Sequence, residues 1–476
     1  MYTKSFKLSL VALFVFITAN LNAQINSFDL STYINPVFKL QMLNFNFNLS
    51  GNGSNQQYSN ANSPNYSSFY MTGNAGVTYE LIKNNENFQG SDLLTLSTGG
   101  NKQNQTDGTN WLSKEEDYTS NLHYAGANRF YFAPKQFFEM DLQINANQYF
   151  YNNNFIDNNN TNFSNTTIYH QSNLNIDIPL LYGIGRVEQV QDARLAAYIL
   201  DDLSKKGKFG KQITNSDILE FAKLISKLKN TRFFDSRIYY MQELAAVDSF
   251  LRTNDLLKDD IQSFGIINDD WGYGAGPSRA SGSRFSFGIE PAFGFSHTDY
   301  YLPFVNNTIY EIYADLNYVY NRPINLYWQN DFNISTKFGL FKTSPKPIGD
   351  TQKGENLLIS PGYALGWYPN TRTSIYFNVN GNYDRDFYTS TNGTYGNQNL
   401  SSYYLYGALG LTLQYYFSPQ LQLNASYSFQ YYFYKNGYQN DMYIFATNNF
   451  GNTNYNPGFQ SKAYNTFNIT LTYSLF

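Results

Sequence analysis

The chain has 476 residues, among them 44 Tyr, 40 Phe and no Cys, and only 14% of its residues are charged, for a net charge of −4. Without Cys there is no disulfide framework and no thiolate zinc site. A weakly acidic balance gives no electrostatic footprint for nucleic acid.

At the start, Lys4 and Lys7 precede an apolar run from Leu8 to Ile17 and a small-residue stretch ending at Ala23. A basic head, a short apolar body and Ala before Gln24 are the layout of a cleaved secretory signal, which is assigned to residues 1–23. A membrane anchor needs about 18 apolar residues, more than this run supplies. No later segment reaches the length of an apolar transmembrane helix, so membrane residence would have to use strands.

Residues 24–185 and 271–476 alternate between apolar and polar side chains. Phe138, Met140, Leu142 and Ile144 interleave with Glu139, Asp141, Gln143 and Asn145, and Leu174, Ile176 and Ile178 with Asn175 and Asp177. Leu421, Leu423, Ala425, Tyr427, Phe429, Tyr431 and Phe433 repeat the pattern, as do Phe467, Ile469, Leu471 and Tyr473. Period two places each set on one face of a strand. The runs suit the roughly 9–11 residues that cross a bilayer at a tilt. Soluble sandwiches and ligand-holding barrels alternate too, with their apolar side chains inside, and periodicity alone leaves open which face points where.

Between these halves, Arg186–Asp270 holds 13 Lys/Arg and 14 Asp/Glu, against totals of 32 and 36. Three-four spacing predicts helices through Val187, Val190, Arg194 (its stem), Ala197, Leu200 and Leu203, through Ile218, Phe221, Ala222, Ile225 and Leu228, and through Ile238, Met241, Leu244 and Leu251. Thr214 with Asp217 resembles an N-cap pair, Gly207 and Gly210 mark a stop, and the third helix breaks near Asn254. Asp259-Asp260 and Asp269-Asp270 read as solvated charge without calcium-loop spacing, and Gly272–Gly282 as a flexible return.

Connections alternate in length. Ala133-Pro134-Lys135, Asn321-Arg322-Pro323, Tyr368-Pro369-Asn370 and Ser418-Pro419 read as tight turns, and Lys83–Ser91 as an intermediate one. Gly51–Pro64, Gly100–Asp117, Asn152–Asn165, Lys342–Gly354, Asp384–Ser402 and Lys435–Lys462 read as long polar loops, Thr298–Asn307 as a medium one. The expected fold is an all-β transmembrane antiparallel barrel of 14 strands, with 12 and 16 as neighbouring even counts. A small α-helical periplasmic insert, residues 186–270, separates strands 1–6 in residues 24–185 from strands 7–14 in residues 271–476.

With its export signal, amphipathic strands and aromatic C-terminal strand bearing Tyr473 and Phe476, the chain resembles the Gram-negative outer-membrane β-barrel proteins of the porin or channel type. That resemblance implies outer-membrane residence and insertion by the barrel-assembly machinery. Phe476 departs from it by lying out of phase with Phe467, Ile469, Leu471 and Tyr473.

If the apolar face meets lipid, parity places Glu80, Glu139, Asp141, Asp177, Glu290, Glu311, Asp315 and Asp331 inside, with Lys39, Arg129, Arg284 and Lys337. Such a wall suits a channel or transporter for small polar solutes. The alternative is an assembly or secretion barrel whose insert docks a periplasmic protein through Arg186, Glu188, Asp192, Arg232, Asp235 and Arg237. A hydrolase is the minor reading. The three His residues are His123, His170 and His297; His297 lies near Ser296 and Asp299, yet sequence neighbours on a strand point to opposite faces. No Gly-x-Ser-x-Gly, His-Glu-x-x-His or phosphate loop occurs. No catalytic residue, metal or cofactor is assigned.

Overall fold

The computed structural model describes residues 28–56, 66–107, 111–157, 163–208, 211–230, 236–257, 261–273, 279–299, 304–347, 349–392, 396–418, 421–435 and 461–473. The assigned signal segment, Phe476 and most of the loop between Lys435 and Lys462 fall outside them.

The strands are β1 (Phe38–Gln56), β2 (Tyr66–Asn85), β3 (Phe88–Thr106), β4 (Trp111–Ala133), β5 (Gln136–Asp157), β6 (Phe163–Asp177), β7 (Leu180–Gln189), β8 (Ala280–Asp299), β9 (Val305–Pro323), β10 (Trp328–Lys346), β11 (Thr351–Trp367), β12 (Thr373–Asn392), β13 (Gly396–Tyr416), β14 (Leu421–Lys435) and β15 (Ser461–Tyr473). They form one antiparallel sheet in sequence order. β6 and β7 both pair with β5 on one side and β8 on the other. They are two halves of one stave, parted at Ile178-Pro179 because Pro179 has no N–H for the ladder. The barrel therefore has fourteen staves built from fifteen strands. β1 and β15 are the edges of the sheet, and no register joins them among the described residues.

Which face points outward, open in the sequence, is decided by exposure. On β5, Phe138 and Met140 are exposed while their neighbours Phe137 and Glu139 are buried. The same split holds on β8, where Phe287 and Ile289 are exposed and Ser286 and Glu290 buried. An apolar exterior around a polar interior inverts the soluble barrel and matches a wall solvated by lipid. From Phe138 to Phe150, the exposed set on β5 spans about 30 Å at ordinary rise and tilt, close to a hydrocarbon core.

The strands are much longer than the sequence pattern implied; β4 runs 23 residues. Segments read as loops, such as Gly100–Asp117 and Asp384–Ser402, are mostly strand, because backbone pairing in water needs no apolar side chains. Lys102 and Glu116, 2.5 Å apart and solvent-accessible, mark the outer surface beyond the apolar band. Lys83–Ser91 tightens to a turn at Glu86-Asn87, and β9 runs through Pro323 before turning at Ile324–Tyr327.

After the sixth stave come α1 (Gln191–Lys205), α2 (Asn215–Asn230), α3 (Ser236–Thr253) and α4 (Ile261–Gly272). The strand enters the charged segment as far as Gln189, and α4 lies beyond the break near Asn254. At the start of α2, the Thr214 hydroxyl and N–H donate to Asp217 at 2.6 and 2.8 Å, and Asp217 N–H returns to Thr214 Oγ1 at 3.3 Å. This reciprocal arrangement satisfies donors that the first helical turn leaves orphaned. α1 is buried on nearly every side. Leu195, Ile199, Leu200 and Leu203 pack with Phe221 and Ile225 of α2, Leu244 and Leu251 of α3, Ile267 and Trp271 of α4, and Phe28, Leu30 and Tyr33 of the N-terminal segment. Full burial of each large aliphatic or aromatic side chain is worth about 1.5–3 kcal/mol.

Candidate functional site

The interior wall is the first part of the site. Register places Glu80, Arg129, Glu139, Asp141, Asp177, Arg284, Glu290, Glu311, Asp315, Asp331 and Lys337 on the polar, inner face. Lys39 is the exception. It pairs with Lys83 on the face of Leu43 and Phe45, so it belongs to the outer surface, at the tight-turn end.

The inner charges are held by partners one or two staves away. Arg129 of β4 pairs with Glu139 of β5, and Lys337 of β10 with Glu290 of β8 at 2.6 Å. Asn356 of β11 donates to Asp384 and Asp386 of β12, at 2.8 and 2.5 Å, and the Ser402 hydroxyl of β13 donates to Asp386 at 3.0 Å. The two aspartates went unrecognised in the sequence because their stretch read as loop.

The second part is the tight-turn mouth. Leu30–Thr32 packs against β8 and β9, the seventh and eighth staves, and the chain then joins β1, the first stave. In a fourteen-stave wall those positions lie opposite, so residues 30–37 cross the mouth. Asn35 ties this strap to the wall and to the helical insert. Its carbonyl accepts from Asn84 of β2 at 3.4 Å, and its Oδ1 accepts from Ser226 of α2 at 3.4 Å.

The helices lie over the same mouth. Tyr198 of α1 donates to the carbonyls of Leu326, in the β9–β10 turn, and Tyr368, in the β11–β12 turn, at 3.2 and 2.5 Å. Arg372 of the β11–β12 turn pairs with Asp269 of α4 and covers the Tyr273 ring at 4.5 Å. Asp270 is buried and accepts from the Thr371 hydroxyl at 3.0 Å. Burial raises its carboxyl to about 7, with Asp202 of α1 and neighbouring Asp269 adding to the rise, and Thr371 and Arg372 opposing it. The reading of Asp270 as solvated charge is thus overturned: folding of α4 seals it against the β11–β12 turn.

Arg279, just before β8, is the central tie. Its guanidinium donates to the carbonyls of Leu326, Asn325 and Trp328 at 2.5, 2.8 and 2.9 Å, and to Gln329 Oε1 at 3.1 Å. It covers the Tyr368 ring at 4.9 Å. Desolvation lowers it to about 10, helped by Arg194, so it stays charged at neutral pH.

Three of the six residues proposed for partner docking, Arg186, Glu188 and Asp192, are engaged inside the molecule. Gly185 and Gly282 adopt φ of +103° and +121°, and a Cβ on either would meet a backbone oxygen of the facing strand at 2.1 Å. After Gly185, Arg186 turns to the β2–β3 turn, donating to Glu86 O, Asn85 O and Asn84 Oδ1 at 2.9, 2.8 and 3.1 Å. It covers the Tyr131 ring at 4.6 Å and pairs with Glu188 at 2.5 Å. Arg186 and Glu188 belong to β7, and buried Asp192 pairs with Lys229 of α2 at 3.2 Å. Arg232 and Asp235 lie outside the described residues, and Arg237 lies in the first turn of α3.

His123, His170 and His297 lie on β4, β6 and β8. His123 Nδ1 contacts Asn145 Oδ1 at 2.6 Å on the inner face. His297 points outward and contacts Asn306 Oδ1 at 2.6 Å, while Ser296 points inward. Ser172 Oγ lies 3.4 Å from His170 Nε2 on β6. Among the described residues no group of three His, Asp or Glu side chains is placed to hold a metal.

A polar interior, an apolar exterior one bilayer tall and antiparallel staves of even number define the class: the chain is an outer-membrane β-barrel carrying a helical insert. No family model matches the sequence, and no curated protein matches it either. Among solved structures it is similar to the translocator domain of autotransporter NalP from Neisseria meningitidis, at 8% identity and a TM-score of 0.22, over 90% of each chain.

Proposed function

We propose that this barrel is a gated conduit for small polar solutes, with the helical insert as the cap on its inner mouth. The observation that carries the reading is the double closure of the tight-turn end. The strap at residues 30–37 and helix α1 both lie across a mouth whose inner wall carries ion-paired and amide side chains. Barrels near this stave number have room for more than side chains, and a charged, ion-paired inner face hydrates a passage. Short turns face the periplasm in such barrels and long connections face outward, which puts the cap on the periplasmic side.

Gln189 and Ala280 are register partners, and Val190 N–H donates to Arg279 O at 2.8 Å. Residues 190–279 can therefore be replaced by an Asn-Gly turn to give a plain hairpin. In planar bilayers the full chain is expected to be silent or to flicker, and the capless barrel to conduct in steady steps. Silence from both would defeat the proposal.

A second reading draws on the far side of the cap, where Tyr239 and Met241 of α3 and Phe264 of α4 are exposed. Such side chains suit a periplasmic protein that docks there, as in an assembly or secretion barrel. Site-specific crosslinking from Met241 in intact cells tests it: a discrete adduct supports docking, and its absence favours the conduit alone.

A further inference from the structure

The polar contacts of the mouth leave one strong donor unused. Arg194, in the first turn of α1, is 2% exposed, and its Nε has no hydrogen-bond partner. Among the described residues its guanidinium makes no hydrogen bond or ion pair; it stands over the rings of Tyr368 and Tyr198, at 5.6 and 5.9 Å. Arg279, 1% exposed, stands over the same Tyr368 ring. Two cations are thus buried around one aromatic side chain.

The nearby carboxylates are engaged elsewhere. Asp331 accepts from Asn321 and Gln329 at 2.7 and 2.8 Å. Asp201 is bound to Lys205 at 2.6 Å. Cation–π contact returns about 0.5–2 kcal/mol, whereas removing an ion from water costs several kcal/mol even after relaxation. The arrangement leaves a buried guanidinium without a hydrogen-bonded or ion-paired partner among the described residues.

Its position is the floor of the lumen. Tyr376, on the inner face of β12, meets the Tyr368 ring edge-on at 5.4 Å. Gln329 and Asp331, on the inner face of β10, flank Arg279. With α1 in place these residues are covered, Arg194 being 2% and Tyr368 1% exposed, so a solute in the lumen would contact Arg194 only as α1 shifts.

We propose that Arg194, backed by Arg279, binds an oxyanion of a small solute, a carboxylate or phosphate group, at the floor of the lumen. The planar fork of Arg194 suits bidentate contact with either group. Arg279 has most of its donors committed to backbone carbonyls, so it contributes positive potential and holds Tyr368 in place. Because Arg194 is part of α1, the bound anion touches the cap itself. This deepens the conduit reading by naming the solute class, and it rests on that reading only for the site's place at the lumen floor.

Binding measured in detergent is independent of conduction. Equilibrium dialysis of the full chain against inorganic phosphate and against succinate should show one saturable site per chain for at least one of them. Arg194→Gln should weaken it at least about tenfold, the scale of a charged hydrogen bond, and Arg194→Lys should retain part of it. No saturable binding of either probe, or equal affinity in Arg194→Gln, overturns the proposal. If Arg194→Gln does not fold, thermal melting of the unmodified chain decides. The probe that binds must raise the cap's melting temperature above that in chloride of equal ionic strength, and no rise overturns the proposal.

Discussion

The wall and the cap solve the problem of burying charge in opposite ways. In the wall, an inner charge meets a partner one or two staves away, as Arg129 meets Glu139 and Lys337 meets Glu290. In the cap, charges are satisfied across long stretches of chain, as Arg279 is by the β9–β10 turn and Asp270 by Thr371. A wall residue's surroundings follow from its parity on a ladder. A cap residue's surroundings follow from how four helices and a strap fold against turns, so the cap is the more readily altered part.

The largest expected effect tests the wall. Ile469 and Thr470 are neighbours on β15, one on the lipid face and one on the lumen face. Ile469→Arg should destabilise the folded barrel by about 2–4 kcal/mol if the site lies near the bilayer midplane. Thr470→Arg should change little, because its side chain meets water. Urea titration of the barrel refolded in lipid vesicles measures both. Equal losses would show that the faces are not segregated and would collapse the contrast with the cap.

A smaller effect belongs to the cap and depends on pH. Asp270 has its carboxyl raised to about 7 by burial, faced by Asp202 of α1, Asp269 of its own helix, and Thr371 and Arg372 of the β11–β12 turn. Below about pH 4 the group is neutral in docked and undocked states, so the cap keeps its full stability. Between about 4 and 7 the undocked state releases the proton first, so stability falls as pH rises and the loss is complete above 7. Hydrogen exchange of α4 should show docking weaken over that interval, with exchange rates corrected for their intrinsic pH dependence. In Asp270→Asn the slope should vanish; a slope that persists would place the titrating group elsewhere.

What the sequence made legible follows the same division. The barrel, its stave count and the presence of a helical insert were readable because period two and three-four spacing are local signals. Lys39 was misplaced because β1 alternates ambiguously at its start, where Leu40 and Met42 are out of phase with Phe45 and Phe47. Asp384 and Asp386 were hidden because polar strand above the apolar band looks like loop. At the mouth, Arg194 counted only for its stem and Arg279 not at all. No local pattern announces that Tyr368, 174 and 89 residues away in the chain, will gather them.

The smallest effect tests the join between the two regions. Tyr198 is the side chain of α1 that reaches two turns at once, donating to Leu326 O and Tyr368 O. Tyr198→Phe keeps the ring between Arg194 and Tyr327 and removes only the hydroxyl, so the helix core should stay intact. Two buried carbonyls would lose a donor, at a net cost of about 1–1.5 kcal/mol. A cap that opens as a unit converts that into a roughly tenfold larger open population. Single-channel recording should therefore show longer or more frequent openings than the unmodified chain, with the same step size because the wall is unchanged. A changed step size would mean that the variant disturbs the lumen itself, and unchanged opening would mean that the strap at residues 30–37, rather than α1, holds the mouth closed.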